Sequence, residues 1–133
     1  MFNIFTTLLK AGSPTVDLKI NQPFAQIGET ITGCFYLHGG RKTQKIKRLE
    51  CSLVKEYEDG SFDTVEEVTT ILMSKQLSEK ETLEFPFTFV ITDKFQPTTS
   101  NITYRFHTNL VYSDNLTSKD HDELVILTSE AND

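Results

Sequence analysis

The stretch "QIGETITGCFYLHGG", Gln26 to Gly40, decides between two very different folds. Glycines near a strand can cradle a phosphate, but such loops pack their glycines together and open into a helix. Here Gly28, Gly33 and the Gly39–Gly40 pair are spread out, and strand-like sequence follows each of them. Between the corners, Ile31, Gly33, Phe35 and Leu37 fall on alternate positions. Period-two alternation is the mark of a half-buried strand. The glycines therefore read as corners of an all-β scaffold. Gly28 suits the third position of a type II turn, "HGG" ends the next strand in the same way, and Gly33 suggests a bulge or close packing.

The same alternation recurs outward from this run. "TVDLKI" precedes it with Val16, Leu18 and Ile20 in phase. "LECSLVKEY" follows with Leu49, Cys51, Leu53 and Tyr57, and a weaker strand surrounds Val68 to Met73. "TLEFPFTFVI" aligns Leu83, Phe85, Phe87, Phe89 and Ile91, with Pro86 on the opposite face. A proline lacks a ladder donor, which assigns this strand to an edge or a bulge. "TYRFHTNLVY" offers Tyr104, Phe106, Thr108, Leu110 and Tyr112, and Leu124 and Ile126 close the series. Seven evenly spaced strands predict an all-β, seven-stranded antiparallel sandwich of immunoglobulin-like or arrestin-like type. Phe2, Phe5, Leu8 and Leu9 form one apolar stripe and predict a short N-terminal helix. The 133 residues suit one domain, residues 1–133.

Composition excludes several functions. A net charge of −6 argues against nucleic-acid binding, which needs a basic face. No integral membrane segment and no signal peptide is legible, so a cytoplasmic protein is expected. Cys34 and Cys51 are too few for a disulfide framework; they lie on consecutive strands that could be neighbours, and buried free thiols are the expectation. His38, His107 and His121 show no zinc spacing, no nucleophile motif appears, and no cofactor or metal is expected. "DNLTSKDHDE" gathers Asp114, Asp120, Asp122 and Glu123. It reads as a solvated turn accepting backbone N–H bonds, with a weak cation site as the alternative.

Charge is the informative surface feature. "RKTQKIKR" holds Arg41, Lys42, Lys45, Lys47 and Arg48 with no acid, whereas "EYEDGSFDTVEE", Glu56 to Glu67, holds six acids and no base. These runs predict loops at opposite ends of one hairpin strand. They either solvate the surface or dock an acidic or phosphorylated partner.

Several of these segments together resemble the bacterial sporulation-control protein family. They are "FNIFTTLLKAG", "VDLKI", "IGETITG", "HGG", the run Gly39, Gly40, Gln44, Ile46, Leu49, Leu53, Tyr57 and Glu58, then "EFPFTFVI" with Pro97 and Thr98, and "HTNLVYSDNLTSKDHDEL". Three departures stand out: Ile27 replaces the corner proline, the acidic turn lacks its proline, and these 133 residues are expected to hold only the first of the two sandwich domains of typical members. The resemblance implies an arrestin-like fold and a non-enzymatic regulator or scaffold in sporulation, cell division or stress physiology. The predicted open sandwich and its charge asymmetry suggest a mechanism for that role: an exposed edge strand accepts a strand of a protein partner or of a second copy in a homo-oligomer. The candidate partner-binding residues are Arg41, Lys42, Lys45, Lys47, Arg48, Asp120 and Asp122. The rival readings are a small-ligand- or carbohydrate-binding sandwich, an enzyme with an unrecognised site, and a structural self-assembler.

Overall fold

The computed structural model describes residues 12–128. The order is β1 (Thr15–Ile20), β2 (Phe24–Gln26), β3 (Thr30–His38), β4 (Gln44–Tyr57), β5 (Phe62–Leu77), β6 (Thr82–Val90), β7 (Ile102–Tyr112) and β8 (Leu116–Leu127). A three-residue 3-10 turn, Ser113–Asn115, joins β7 to β8. One sheet has the order β1-β3-β6 and the other β2-β8-β7-β4-β5. The predicted N-terminal helix lies outside the described residues.

The alternating residues build the core between the sheets. Leu18, Ile31, Phe35 and Leu37 come from the smaller sheet, and Leu49, Leu53, Tyr104, Phe106, Leu110, Leu124 and Ile126 from the larger; each is essentially inaccessible. Phe106 sits at the centre, edge-on to Phe87 at 5.1 Å and to Phe89 at 5.5 Å between ring centroids. Edge-to-face contact sets the positive ring edge against a negative ring face, and adds about 0.5–1.5 kcal/mol per pair beyond area burial. The one polar end of this aromatic cluster is satisfied, since Tyr104 Oη donates to the Gln96 carbonyl at 2.8 Å.

The sequence expectation needs four corrections. Among the described residues there are eight strands, not seven. The additional one, β2, has only three residues, too short to show a period, and pairs parallel with β8. The sandwich is therefore not wholly antiparallel. The acidic segment expected as a turn is instead most of β8, and only Ser113–Asn115 turns. Cys34 and Cys51 lie in different sheets and are both free thiols. Burial pushes the Cys51 thiol up to about 12, so it is inert.

The glycine corners divide in two. Gly28 has φ +97°, and the Glu29 N–H donates to the Gln26 carbonyl at 3.0 Å, closing the expected turn. Gly39 and Gly40 do not adopt positive φ. They are small because backbone passes beside them: a Cβ on Gly39 would lie 1.9 Å from the Ser78 carbonyl oxygen, and one on Gly40 2.0 Å from that of Gly12. Gly33 likewise faces the backbone of Lys19 and Ile20. Pro86 lies, as expected, on an edge strand, opposite Cys34.

Candidate functional site

Strand β4 separates the two charge runs. Its 14 residues extend roughly 45 Å at the usual strand rise. The acidic run forms the β4–β5 hairpin turn and the start of β5. There Gly60, with φ +91°, completes the corner. Asp59 Oδ1 accepts the Ser61 hydroxyl at 2.6 Å and the Ser61 N–H at 2.9 Å, which holds its carboxyl below the usual range. At the far end, Gln44 faces Leu77, so the basic run flanks the end of β5.

The basic residues do not act as one loop. Arg41 and Lys42 are exposed and line a shallow cleft with Gly12, Ser13 and Gln44. Lys45, Lys47 and Arg48 instead belong to β4. Between Ile46 and Arg48 the register shifts against both neighbouring strands, so Lys47 occupies a bulge. A bulge inserts one residue and re-aims its side chain. Lys47 Nζ reaches Asn115 Oδ1 at 3.4 Å, while the backbone of Lys45 bonds to the Ser113 hydroxyl. Arg48 is paired with Glu50 at 2.5 Å. The cationic surface is thus Arg41, Lys42, Lys45 and Lys47, without Arg48.

Asp120 and Asp122 lie apart from this surface. Alternation on β8 points them toward the sandwich interior, opposite Thr108 and Phe106 of β7. They fill the seam where β1 meets β8. Asp120 Oδ2 accepts the Leu18 N–H at 2.7 Å, joining the two sheets. Asp122 Oδ2 is buried with no hydrogen-bond partner among the described residues. Burial first, then the neighbouring Asp120 carboxylate and Asp17, push the Asp122 carboxyl up to about 7. Lys19, paired with Asp17 at 3.1 Å, opposes this shift. These acids hold the seam and do not join the basic residues in one site.

On the opposite face of the same strands, His107 and His121 stack at 3.9 Å with 8° between ring planes. His107 Nε2 is buried and has no hydrogen-bond partner among the described residues. Burial and the adjacent His121 hold the His107 imidazole below its usual value. No group of three or more His, Cys, Asp or Glu side chains able to hold a metal occurs among the described residues. No helix among them is long and apolar enough to cross a membrane.

The surface feature that alternation did not reveal is the free side of β5. Four strands border the two sheets: β1 and β6 in one, β2 and β5 in the other. An unpaired edge offers a row of N–H and C=O groups to any passing strand, and proteins blunt it by shortening, proline, charge or cover. Three of these edges are blunted: β2 has three residues, β6 carries Pro86, and β1 has its Leu18 N–H occupied by Asp120. Strand β5 runs for 16 residues without glycine or proline, and Val68 to Ser74 carry no charge, but register shifts against β4 leave Thr69 to Leu72 as its longest stretch of unbroken pairing. Along it Leu72 is 76% exposed and Phe62 54%. The sequence signal was the β-branched run Val68 to Ile71, read only as a weaker strand around Val68 to Met73.

Comparison with known proteins agrees with this architecture. Spo0M, the sporulation control protein of Bacillus subtilis, superposes with a TM-score of 0.73 at 21% identity, covering 87% of this chain and 50% of that one. The chain therefore spans about half the length of the Bacillus protein. The CARDB domain of PF1109 from Pyrococcus furiosus, solved with di-metal ions, gives a TM-score of 0.57 at 11% identity over 86% of this chain and 88% of that one. A superoxide reductase (neelaredoxin) from Ignicoccus hospitalis gives 0.52 at 10% identity over 84% and 80%. At such identities these likenesses concern the fold alone. Among curated proteins, none matches the sequence. The family model described as SpoOM protein matches residues 3–133, so this chain belongs to the Spo0M family of sporulation-control proteins.

Proposed function

We propose that this protein is a non-enzymatic regulatory module, acting in the control of sporulation or a related cell-division or stress response through contacts with other proteins in the cytoplasm. The observation that carries this reading is the β5 edge, long, uncharged at its middle and paired with no further strand among the described residues. Strand addition there would draw affinity from backbone bonds and specificity from the side chains that alternate across the edge. The acidic hairpin turn at one end and Lys45 and Lys47 at the other supply direction. Family membership supports the regulatory role.

The test is a proline scan of the edge. Alternate residues of a strand direct N–H outward, so Thr69→Pro and Thr70→Pro are made separately. The variant that keeps the wild-type circular dichroism and melting temperature has lost an outward donor only. Affinity capture from cells entering sporulation should recover proteins with wild type that this variant does not retain. Equal recovery by the folded proline variant overturns the edge reading.

A further inference from the structure

We infer that His107 and His121, facing each other across β7 and β8, form a binding site for one divalent transition-metal ion of the zinc, nickel and copper class. The site lies on the outer face of the five-stranded sheet, with β4 between it and β5. It does not depend on what pairs with the β5 edge.

The backbone makes the two rings neighbours. His107 and His121 are register partners in the β7–β8 ladder, and facing residues of an antiparallel pair hold their Cβ atoms about 4.5–5.5 Å apart. The rings lie face to face, 3.9 Å between centroids and 8° between planes. An imidazole nitrogen binds zinc at about 2.0–2.1 Å, which sets two nitrogens on one ion about 2.9–3.4 Å apart. Tilting the two nitrogen edges together by about 0.5–1 Å therefore brings both lone pairs onto one ion. Phe62 lies 5.6 Å from the His107 ring on its other side, is more than half exposed, and can swing aside to admit the ion.

The donor chemistry fits this class of ion. His107 Nε2 is buried and unpartnered among the described residues, and a buried polar atom left unpaired calls for a water or ion to satisfy it. Imidazole nitrogen suits zinc, nickel and copper, whereas calcium and magnesium take oxygen donors. Above its ordinary pKa of about 6.5 an imidazole is neutral, the form that binds metal. Glu123 stands two residues from His121 on the same face of β8, exposed and in no ion pair among the described residues. The Arg105 guanidinium opposite it is already taken by Glu56 at 3.0 Å. The Glu123 carboxylate is thus available as a third donor, with water completing an open shell. No three-ligand group is gathered beforehand, so the two rings hold the ion and the ion draws in Glu123. Lys119, on the other flank of His121, is the opposing charge.

Titration calorimetry of the 133-residue chain, without a polyhistidine tag and with zinc chloride as the probe at pH 7.5, tests the inference. One zinc ion per chain should bind with a micromolar dissociation constant. His107→Gln and His121→Gln should each weaken binding by about tenfold or more, and Glu123→Gln by less. His38→Gln and Cys34→Ser, both on the smaller sheet, should leave it unchanged. With cupric ion in place of zinc, electron paramagnetic resonance should show two nitrogen ligands in wild type and fewer in either variant of the pair. Circular dichroism establishes that each variant is folded, and His121, being exposed, keeps the test decisive if His107→Gln does not fold. Wild type that takes up no zinc at millimolar concentration overturns the inference. So does zinc binding that survives His121→Gln undiminished, or that disappears in His38→Gln or Cys34→Ser.

Discussion

The Leu18 N–H of β1 donates to Asp120 Oδ2 of β8 at 2.7 Å, a bond between residues 102 positions apart in the chain. It is a side-chain bond doing what a neighbouring strand does elsewhere: it satisfies an edge donor and fixes how one sheet sits over the other. A charge-assisted bond of this kind is worth roughly 1.5–3 kcal/mol. Asp120→Ala should therefore lower stability by about 1.5–3 kcal/mol, measured by urea unfolding, because it also leaves the Leu18 donor unsatisfied. Asp120→Asn, which keeps an acceptor, should lose less.

Asp122, two residues along, carries the opposite sign of effect. Its folded pKa is raised from an ordinary 3.8 to about 7 by burial and by Asp120. A raised value means the folded state favours the protonated acid. The stability it supports is complete below the ordinary value and is lost as pH climbs through about 7. Asp122→Asn removes that loss. At pH 8 the variant should match or exceed wild type by on the order of 1–2 kcal/mol, partial solvent access being allowed for. An unfolding series from pH 5 to pH 8 should show a flatter profile for the variant.

His107 responds to acid. Its imidazole is held below the ordinary 6.5 by burial first and by His121 second. The unfolded chain thus takes up a proton before the folded one does, and stability falls as pH drops below 6.5. Replacing His107 with Gln should reduce this acid sensitivity. The His107 proton resonance, followed by NMR, should titrate below its unfolded-chain position.

Phe106 tests the packing claim. It is fully buried and touches Phe87 and Phe89 edge-on. Phe106→Ala should cost about 3–5 kcal/mol, since the cavity adds to the lost transfer free energy. Phe106→Leu should cost less.

The basic residues should matter in proportion to their freedom. Reversing Lys45 and Lys47 to Glu should weaken partner capture and remove part of its salt dependence, read by affinity capture from low to high salt. Reversing Arg48 should change association little, because Glu50 already pairs with it.

The core was legible because the strands obey period two and bury one face: nearly every residue read as in phase is buried or half-buried. What escaped follows from the limits of that signal. β2 is too short to alternate. The bulge at Lys47 left a clue, since Ile46 and Leu49 are both buried three residues apart, which strict alternation forbids. On β8, Asp120 and Asp122 occupy core-phase positions, and polar residues in that phase read as a turn until β1 is placed beside them. The β5 edge was hidden for a different reason. Alternation reports which face is buried and says nothing about which strand ends up last in a sheet; that depends on the order of pairing.

Hydrogen–deuterium exchange along β5 tests the central claim most directly, comparing the protein alone with the protein holding its captured partners. Slowed exchange at amides of Thr69 to Leu72 on partner binding, with the remaining strands unchanged, is the predicted result. Exchange along β5 that stays as fast with partners bound, or protection that falls instead on Arg41 to Lys47, would contradict it.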